Sequence, residues 1–160
     1  MPVKYSDQEI GRLIQERKKL PSNYRSLIGL RRKRGHKERE LDLSGVEGNQ
    51  FRLILRQSNF NPLDFSIILA LNPSDTNLLF RLRRYNGKSH EHTNHIENNT
   101  FYDFHVHLAT ERYQDLGGRE DAYAEPTDRF SDFQTAMRCI IADCGFEEPY
   151  CPQLPLFPEG

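Results

Sequence analysis

Apolar residues at helical spacing occur close to the amino terminus. They follow Ser6-Asp7-Gln8-Glu9, a capping box in which the serine hydroxyl and the glutamate carboxylate accept hydrogen bonds from free backbone amides. This pattern predicts a first helix that starts at Ser6 and ends before Pro21, because proline cannot continue a helix. Ser22 predicts the cap of a short second helix that runs to about Leu30.

A third helix is predicted near the carboxyl terminus. Ser131-Asp132-Phe133-Gln134 has the pattern of a second capping box, and Gly145 suits the carboxyl-terminal cap. The apolar stripe between them predicts the following buried residues: Phe133, Ala136, Met137, Ile140, Ile141 and Cys144.

The middle of the chain alternates apolar and polar residues, which is the pattern of half-buried strands. Strand-like segments lie at residues 41–43, 51–56, 64–71, 80–83 and 102–109, and turn residues separate them. The order of helix, meander and helix predicts an α+β fold. We expect an antiparallel sheet of about five strands, with amino- and carboxyl-terminal helices packed on one face.

Alternation also predicts what each face of this sheet carries. The face toward the helices is expected to hold Phe51, Leu53, Phe80, Leu82, Phe104 and Val106. The opposite face is then expected to hold Arg52, Arg56, Arg81, Arg83, Asp103, His105 and His107. This second face is therefore predicted to be cationic and to carry histidines. A slip of one residue in any strand would reverse the assignment for that strand.

Size and composition limit the class of protein. The chain has 160 residues, of which 28% are charged. No apolar run approaches the ~18 residues of a membrane span, and the amino terminus has no apolar segment typical of a secretory signal. We expect a cytoplasmic protein without membrane contact, with a single domain over residues 1–148 and an extended Pro-rich tail over 149–160. The three cysteines lack a C-x-x-C pair and indicate no disulfide framework.

Charge is unevenly distributed along the chain. Residues 1–39 carry twelve Lys/Arg and four Asp/Glu, a net charge of +8, whereas residues 40–160 carry ten and nineteen, a net charge of −9. The basic run of Arg31, Arg32, Lys33 and Arg34 is a candidate phosphate contact, although such runs are more often solvated surface. The partner is predicted to be nucleic acid, RNA in particular, an acidic protein, or the acidic remainder of the chain.

Five of the six histidines fall within eighteen residues: His90, His92, His95, His105 and His107. His105 and His107 alternate with apolar residues on a predicted strand, so they share a face at a separation of ~6.7 Å. Cleavage of RNA through its 2′-hydroxyl needs a base, an acid and a cation. His105 and His107, with His90 or His92, are candidates for the first two roles. Arg81, Arg83 and Lys88 are candidates for the third.

The same histidines permit a metal site instead. His90, His92, His95 and Glu97 supply imidazole and carboxylate ligands that suit a divalent cation such as Zn²⁺ or Mn²⁺. A histidine pair at this spacing is also common as packed or solvated surface. The loop of residues 88–97 can join the strand histidines only if a turn near Asn98-Asn99 folds it back onto their face.

Several segments resemble an uncharacterised family of small prokaryotic proteins. They are YNGKSHEHTNHIE (85–97), FYDFHVHLATERYQ (101–114), AYAEPTDRFSDF (122–133) and the helix end from Cys139 to Phe146. The likeness covers about residues 80–146. It implies a domain of unknown function, without an established activity or catalytic residue. It also implies a bacterial or archaeal origin, with mobile elements, defence loci and toxin–antitoxin pairs as settings.

Three functions are therefore carried forward. The first is a nucleic-acid-associated protein acting as a histidine-dependent ribonuclease, which includes toxin-like defence proteins. The second is a metal-binding protein or metalloenzyme that uses the two H-x-H pairs. The third is a non-catalytic module that binds a protein or a nucleic acid.

Overall fold

The computed structural model describes residues 4–32 and 34–149 of the chain. Within them lie four helices, α1 (Asp7–Gln15), α2 (Tyr24–Leu27), α3 (Glu111–Asp115) and α4 (Phe133–Asp143). The described part of the chain also contains the strands β1 (Lys18–Lys19), β2 (Arg31–Arg32), β3 (His36–Ser44), β4 (Gln50–Ser58), β5 (Phe65–Leu71), β6 (Phe80–Asn86), β7 (His92–Asn94), β8 (Asn99–Phe101), β9 (His105–Leu108), β10 (Ala124–Pro126) and β11 (Phe146–Glu147). The predictions for Lys33 and for the tail beyond Pro149 lie outside the described residues.

The main sheet is antiparallel and has seven strands in the order β10-β9-β6-β5-β4-β3-β2. It is larger than the predicted five strands because its edge strands β2 and β10 have only two and three residues, too few to show alternation. A separate hairpin joins β7 to β8, and β1 pairs in parallel with β11. The prediction of an α+β fold with an antiparallel sheet is confirmed in this larger form.

One face of the main sheet forms the hydrophobic core with the helices. Its central residues are Leu53, Leu55, Ile67 and Leu69, which alternate along β4 and β5 and are fully buried. The helices contribute Ile10, Ile14, Tyr24, Met137 and Ile140 to the same core, and Ile28 joins them directly after α2. Among the described residues, no helix combines the length and apolar character needed to cross a membrane.

Helix α1 begins as predicted, because Ser6 and Glu9 form the capping box. It ends at Gln15 and not near Pro21, since the chain turns there to place Lys18 in the interior. The Lys18 ammonium lies 2.7–3.1 Å from four carbonyl oxygens, three from the end of α1 and one from Cys144 after α4, which share its three N–H groups. Burial lowers the pKa of Lys18 to about 8, so the amine stays charged at neutral pH.

The other two predicted helices are shifted or shortened. The second is a single turn, α2, whose buried residues include Tyr24. The third is α4, which is capped by Asp132 and Thr135, one residue later than the predicted Ser131 and Gln134. Gly145 follows its last turn with φ +73°, which confirms the predicted role of this glycine at the helix end.

Candidate functional site

Three histidine rings converge on the face of the sheet opposite the core. His105 and His107 lie on β9 and are buried, and His92 at the start of β7 lies against both. The ring centre of His92 lies 5.5 Å from that of His105 and 4.9 Å from that of His107. The ring centres of His105 and His107 are 5.0 Å apart. The hairpin of β7 and β8 therefore folds back over the strand, with Asn98 in the left-handed conformation at its turn (φ 57°).

Asn94 fastens this hairpin to the main sheet. Its amide group donates to the carbonyl oxygen of Ala124 (2.7 Å) and accepts from the amide of the same residue (2.9 Å), so its orientation is fixed. The Oδ1 atom of Asn94 also lies 2.8 Å from Nε2 of His92. Because this oxygen can only accept, Nε2 of His92 carries the proton, and Nδ1 of the neutral ring carries the lone pair.

Backbone carbonyls hold the two strand histidines. Nδ1 of His105 donates to the carbonyl of Asp103 (2.8 Å), and Nδ1 of His107 donates to that of Asp121 (2.7 Å). Each neutral ring therefore keeps its lone pair on Nε2. Burial lowers the pKa of His105 to about 4 and that of His107 to about 2, and the nearby Arg84 charge adds to both shifts. Both rings are neutral at pH 7.

The three rings have the geometry of a metal ligand set. One ring nitrogen from each of His92, His105 and His107 lies within 4.8 Å of the other two. Tetrahedral Zn²⁺ with Zn–N bonds of ~2.1 Å needs nitrogens about 3.4 Å apart, so a movement of less than about 1 Å by each ring would complete the site. Histidine ligands in metalloproteins commonly donate their second N–H to a carbonyl, as His105 and His107 do here.

A β-bulge in β6 determines which arginine lies on the same face of the sheet as these histidines. Arg83 pairs with Leu69 and Arg81 with Ala70, which leaves Leu82 as the extra residue of β6. The alternation is thereby shifted, and Arg84, not Arg83, lies opposite His107. The prediction that Arg83 shares the histidine face is wrong for this reason.

Arg83 lies instead on the helix side of the sheet. Its guanidinium is 3.9 Å from the Asp143 carboxylate of α4 and donates to the hydroxyl of Tyr85. It lines a cavity of about 680 Å³ between α4 and the strands β9 and β10. Asp103 lines the same cavity and meets His105 through its backbone carbonyl, so the prediction that strand alternation places it on the histidine face is also wrong: Asp103 precedes β9 in an irregular segment to which strand alternation does not apply.

A buried carboxylate lies behind His107. Asp121 is fully buried, and its oxygens lie 3.2 Å from the guanidinium of Arg84 and 3.7 Å from those of Arg81 and Arg119. Arg81 is also held by Glu120, through hydrogen bonds of 2.9–3.3 Å from its backbone and side chain. Arg81 is thus on the predicted face but already paired with carboxylates.

The remaining predicted histidines are placed differently. His90 is exposed, with its ring centre 6.0 Å from that of His105 and its Nδ1 3.1 Å from the hydroxyl of Ser89. His95 is exposed in the hairpin turn. Glu97 is bound by Arg112 and Tyr113 at 3.0 and 2.9 Å. The structure therefore does not gather His90, His92, His95 and Glu97 into one metal site.

The basic run near the amino terminus does not form one surface with the histidines. Arg31 and Arg32 form the edge strand β2, and Arg34 follows them; all three are exposed. Five strand spacings separate β2 from β9 in the sheet, a distance of about 24 Å. Lys88 lies over the ring of Tyr102, 5.7 Å from its centre.

Sequence reasoning missed three residues of the site: Arg84, Asn94 and Asp121. Asn94 and Asp121 lie in segments that resemble polar loops, yet both are fully or almost fully buried. Nothing in their local pattern distinguishes them from exposed neighbours. Arg84 follows Arg83 directly, and only the bulge separates their roles.

Comparison with known proteins identifies the family of the chain but indicates no activity. Residues 5–145 match the family described as a family of unknown function (DUF6978). No curated protein and no solved structure matches the chain. The resemblance to an uncharacterised family is therefore confirmed, and the match extends well beyond the 80–146 region that carried it.

Proposed function

Since the chain belongs to the DUF6978 family, whose function is unknown, we propose a function from the geometry of the site: the protein binds a divalent transition metal through His92, His105 and His107. The observation that supports this proposal is the convergence of three ring nitrogens within 4.8 Å on one buried face. Three protein ligands leave a fourth position for water or substrate, which is the arrangement of catalytic zinc sites. Such a site activates bound water for hydrolysis.

The ligand set favours zinc over manganese. Neutral imidazole suits Zn²⁺, Cu²⁺, Ni²⁺ and Fe²⁺, whereas Mn²⁺ prefers carboxylate and water ligands. The Glu97 carboxylate is engaged by Arg112 and Tyr113 and does not join the three rings. Of the two metals expected from the sequence, Zn²⁺ is therefore the one that the site suits.

A metal-free ribonuclease is less compatible with this site. General acid catalysis at neutral pH needs a protonated imidazole. Burial lowers the pKa values of His105 and His107 well below 7, so neither ring carries that proton at neutral pH, and the role of acid would pass to His90 or His92. The same neutral rings are ready to coordinate a cation without first losing a proton.

Titration calorimetry with Zn²⁺ on protein purified without a polyhistidine tag tests the proposal. His92→Gln removes one ligand from the partly buried hairpin strand, and His95→Gln is its matched control in the exposed turn of the same hairpin. We expect one Zn²⁺ per chain. The His92 variant should lose more than about 100-fold in affinity, because the loss of an outer-shell partner alone costs 10–100-fold. The His95 variant should bind like the wild type.

Two results would overturn the proposal. One is the absence of stoichiometric binding by the wild-type protein at pH 7.5. The other is an equal loss of affinity in the His92 and His95 variants, because that would indicate weak binding to scattered histidines and not to a formed centre.

A further inference from the structure

We infer that the fourth position of the histidine centre takes an oxyanion of the phosphate class, and that Arg84 provides the charge that selects it. This inference rests on the proposed metal site and adds the class of ligand that completes it. It follows from the position, the charge balance and the hydrogen bonding of Arg84.

The first observation is the position of Arg84. It pairs with His107 across β6 and β9, so both side chains project from the same face of the sheet. Directly opposed residues in an antiparallel pair have Cβ atoms about 4.5–5.5 Å apart. The Asp121 carboxylate pairs with Arg84, and the Asp121 backbone carbonyl accepts from Nδ1 of His107, so Asp121 links Arg84 to the histidine ring.

The second observation is the local charge balance. Among the described residues around Asp121 there are three guanidinium groups, on Arg81, Arg84 and Arg119, and two carboxylates, on Glu120 and Asp121. Arg81 forms an ion pair with Glu120, and the Asp121 carboxylate lies within ion-pair distance of all three arginines. The cluster therefore carries one more positive than negative charge, and its most exposed member is Arg119.

The third observation is an unused donor. The Nε–H group of Arg84 is buried and has no hydrogen-bond partner among the described residues, and the arginine side chain is only 16% exposed. Both carboxylate oxygens of Asp121 also lack a hydrogen bond, although they are within ion-pair distance. Buried polar groups in native proteins are almost always satisfied, so the free Nε–H of Arg84 is a donor that remains available to a ligand.

These observations combine at the metal site. Three neutral imidazoles leave the full charge of a divalent cation uncompensated, and the net positive charge of the arginine cluster adds to it. An anion at the fourth position neutralises both, and guanidinium groups bind phosphate oxygens particularly well. A neutral ligand such as water would leave the two cationic groups in mutual repulsion within a poorly solvated site.

Titration of inorganic phosphate into the Co²⁺-loaded protein, followed by the visible spectrum of the ion, tests the inference. We expect a saturable spectral change in the wild type. Arg84→Met should weaken phosphate binding at least tenfold while Co²⁺ affinity is kept or increased. Arg56→Met removes an exposed arginine from the same face, three strands from His105, and should change phosphate affinity less than twofold.

A second variant distinguishes a loss of phosphate binding from a loss of folding. Arg84→Met leaves less positive charge around Asp121, so the double variant Arg84→Met/Asp121→Asn removes both buried charges together. It should fold, bind Co²⁺ and show the same weak phosphate binding as the single variant.

The outcomes separate the two claims. If the wild type binds no Co²⁺, the metal site is wrong and this inference falls with it. If Co²⁺ binds but phosphate leaves its spectrum unchanged, or if the Arg84 variants bind phosphate as tightly as the wild type, the inference alone is overturned.

Discussion

The ring of His107 and the backbone of Asp121 are joined by a hydrogen bond of 2.7 Å from Nδ1 to the carbonyl oxygen. The same aspartate places its buried carboxylate 3.2 Å from Arg84. One residue thus orients a histidine through its backbone and holds an arginine through its side chain. The segment that carries Asp121 is for this reason part of the site, although it lies outside the strands of the sheet.

Asp121→Asn should destabilise the protein by about 3 kcal/mol, because it leaves buried guanidinium groups without their counter-charge. Urea unfolding measures the effect. Asp128→Asn, at an exposed aspartate of the following loop, is the matched control and should change the free energy of unfolding by less than about 0.5 kcal/mol. Equal stability of the two variants would show that the arginine cluster does not depend on Asp121.

Asn94→Ala should release the hairpin from the main sheet. The change leaves the amide and carbonyl of Ala124 without their partners and removes the acceptor of His92, at a cost of about 2 kcal/mol. Hydrogen exchange should become faster across residues 92–101 while the core strands keep their protection. Asn99→Ala, at the exposed position directly opposite in the hairpin, should leave this exchange unchanged. Unchanged protection in the Asn94 variant would contradict the anchoring role.

Lys18→Met should lower the free energy of unfolding by about 3 kcal/mol. The substitution keeps most of the volume of the side chain but leaves four carbonyl oxygens, three of them in buried contacts, without this donor. The exposed neighbour Lys19 provides the control, since Lys19→Met changes the same charge without touching these carbonyls. Thermal unfolding compares the two variants, and a smaller effect at position 18 than at position 19 would refute the capping role. Zn²⁺ affinity should be the same in both.

The metal-free protein should lose stability as the pH falls from about 6.5 toward 4. Burial lowers the pKa of His105 to about 4, against about 6.5 in an unfolded chain, so in this range the unfolded state binds a proton that the folded state does not. The loss approaches about 3 kcal/mol for this residue near pH 4. Urea midpoints at pH 6.5 and 5 should differ less in His105→Gln than in the wild type, whereas His95→Gln should keep the wild-type difference. Identical differences in all three proteins would contradict the burial of a neutral ring.

Alternation along a strand was sufficient to predict that His105 and His107 share a face away from the core. It also predicted that Phe51 and Leu53 of β4 face the core, because this strand is long and regular. It failed at Arg83, since the bulge at Leu82 changes the phase of β6 without any mark in the sequence. The return of His92 to the strand depends on contacts between Asn94 and Ala124, which are thirty residues apart. Periodicity describes neighbours along an element and carries no information about such contacts.

X-ray absorption at the zinc edge tests the central claim most directly, because it counts the ligands of the bound ion. For the Zn²⁺-loaded protein we predict three imidazole nitrogens and one oxygen ligand that is not part of a ring, at about 2.0–2.1 Å. The His92→Gln protein should show one imidazole fewer, and the His95→Gln protein should give the wild-type spectrum. A shell made mainly of oxygen atoms, or a spectrum that His92→Gln leaves unchanged, would contradict a metal centre built from His92, His105 and His107.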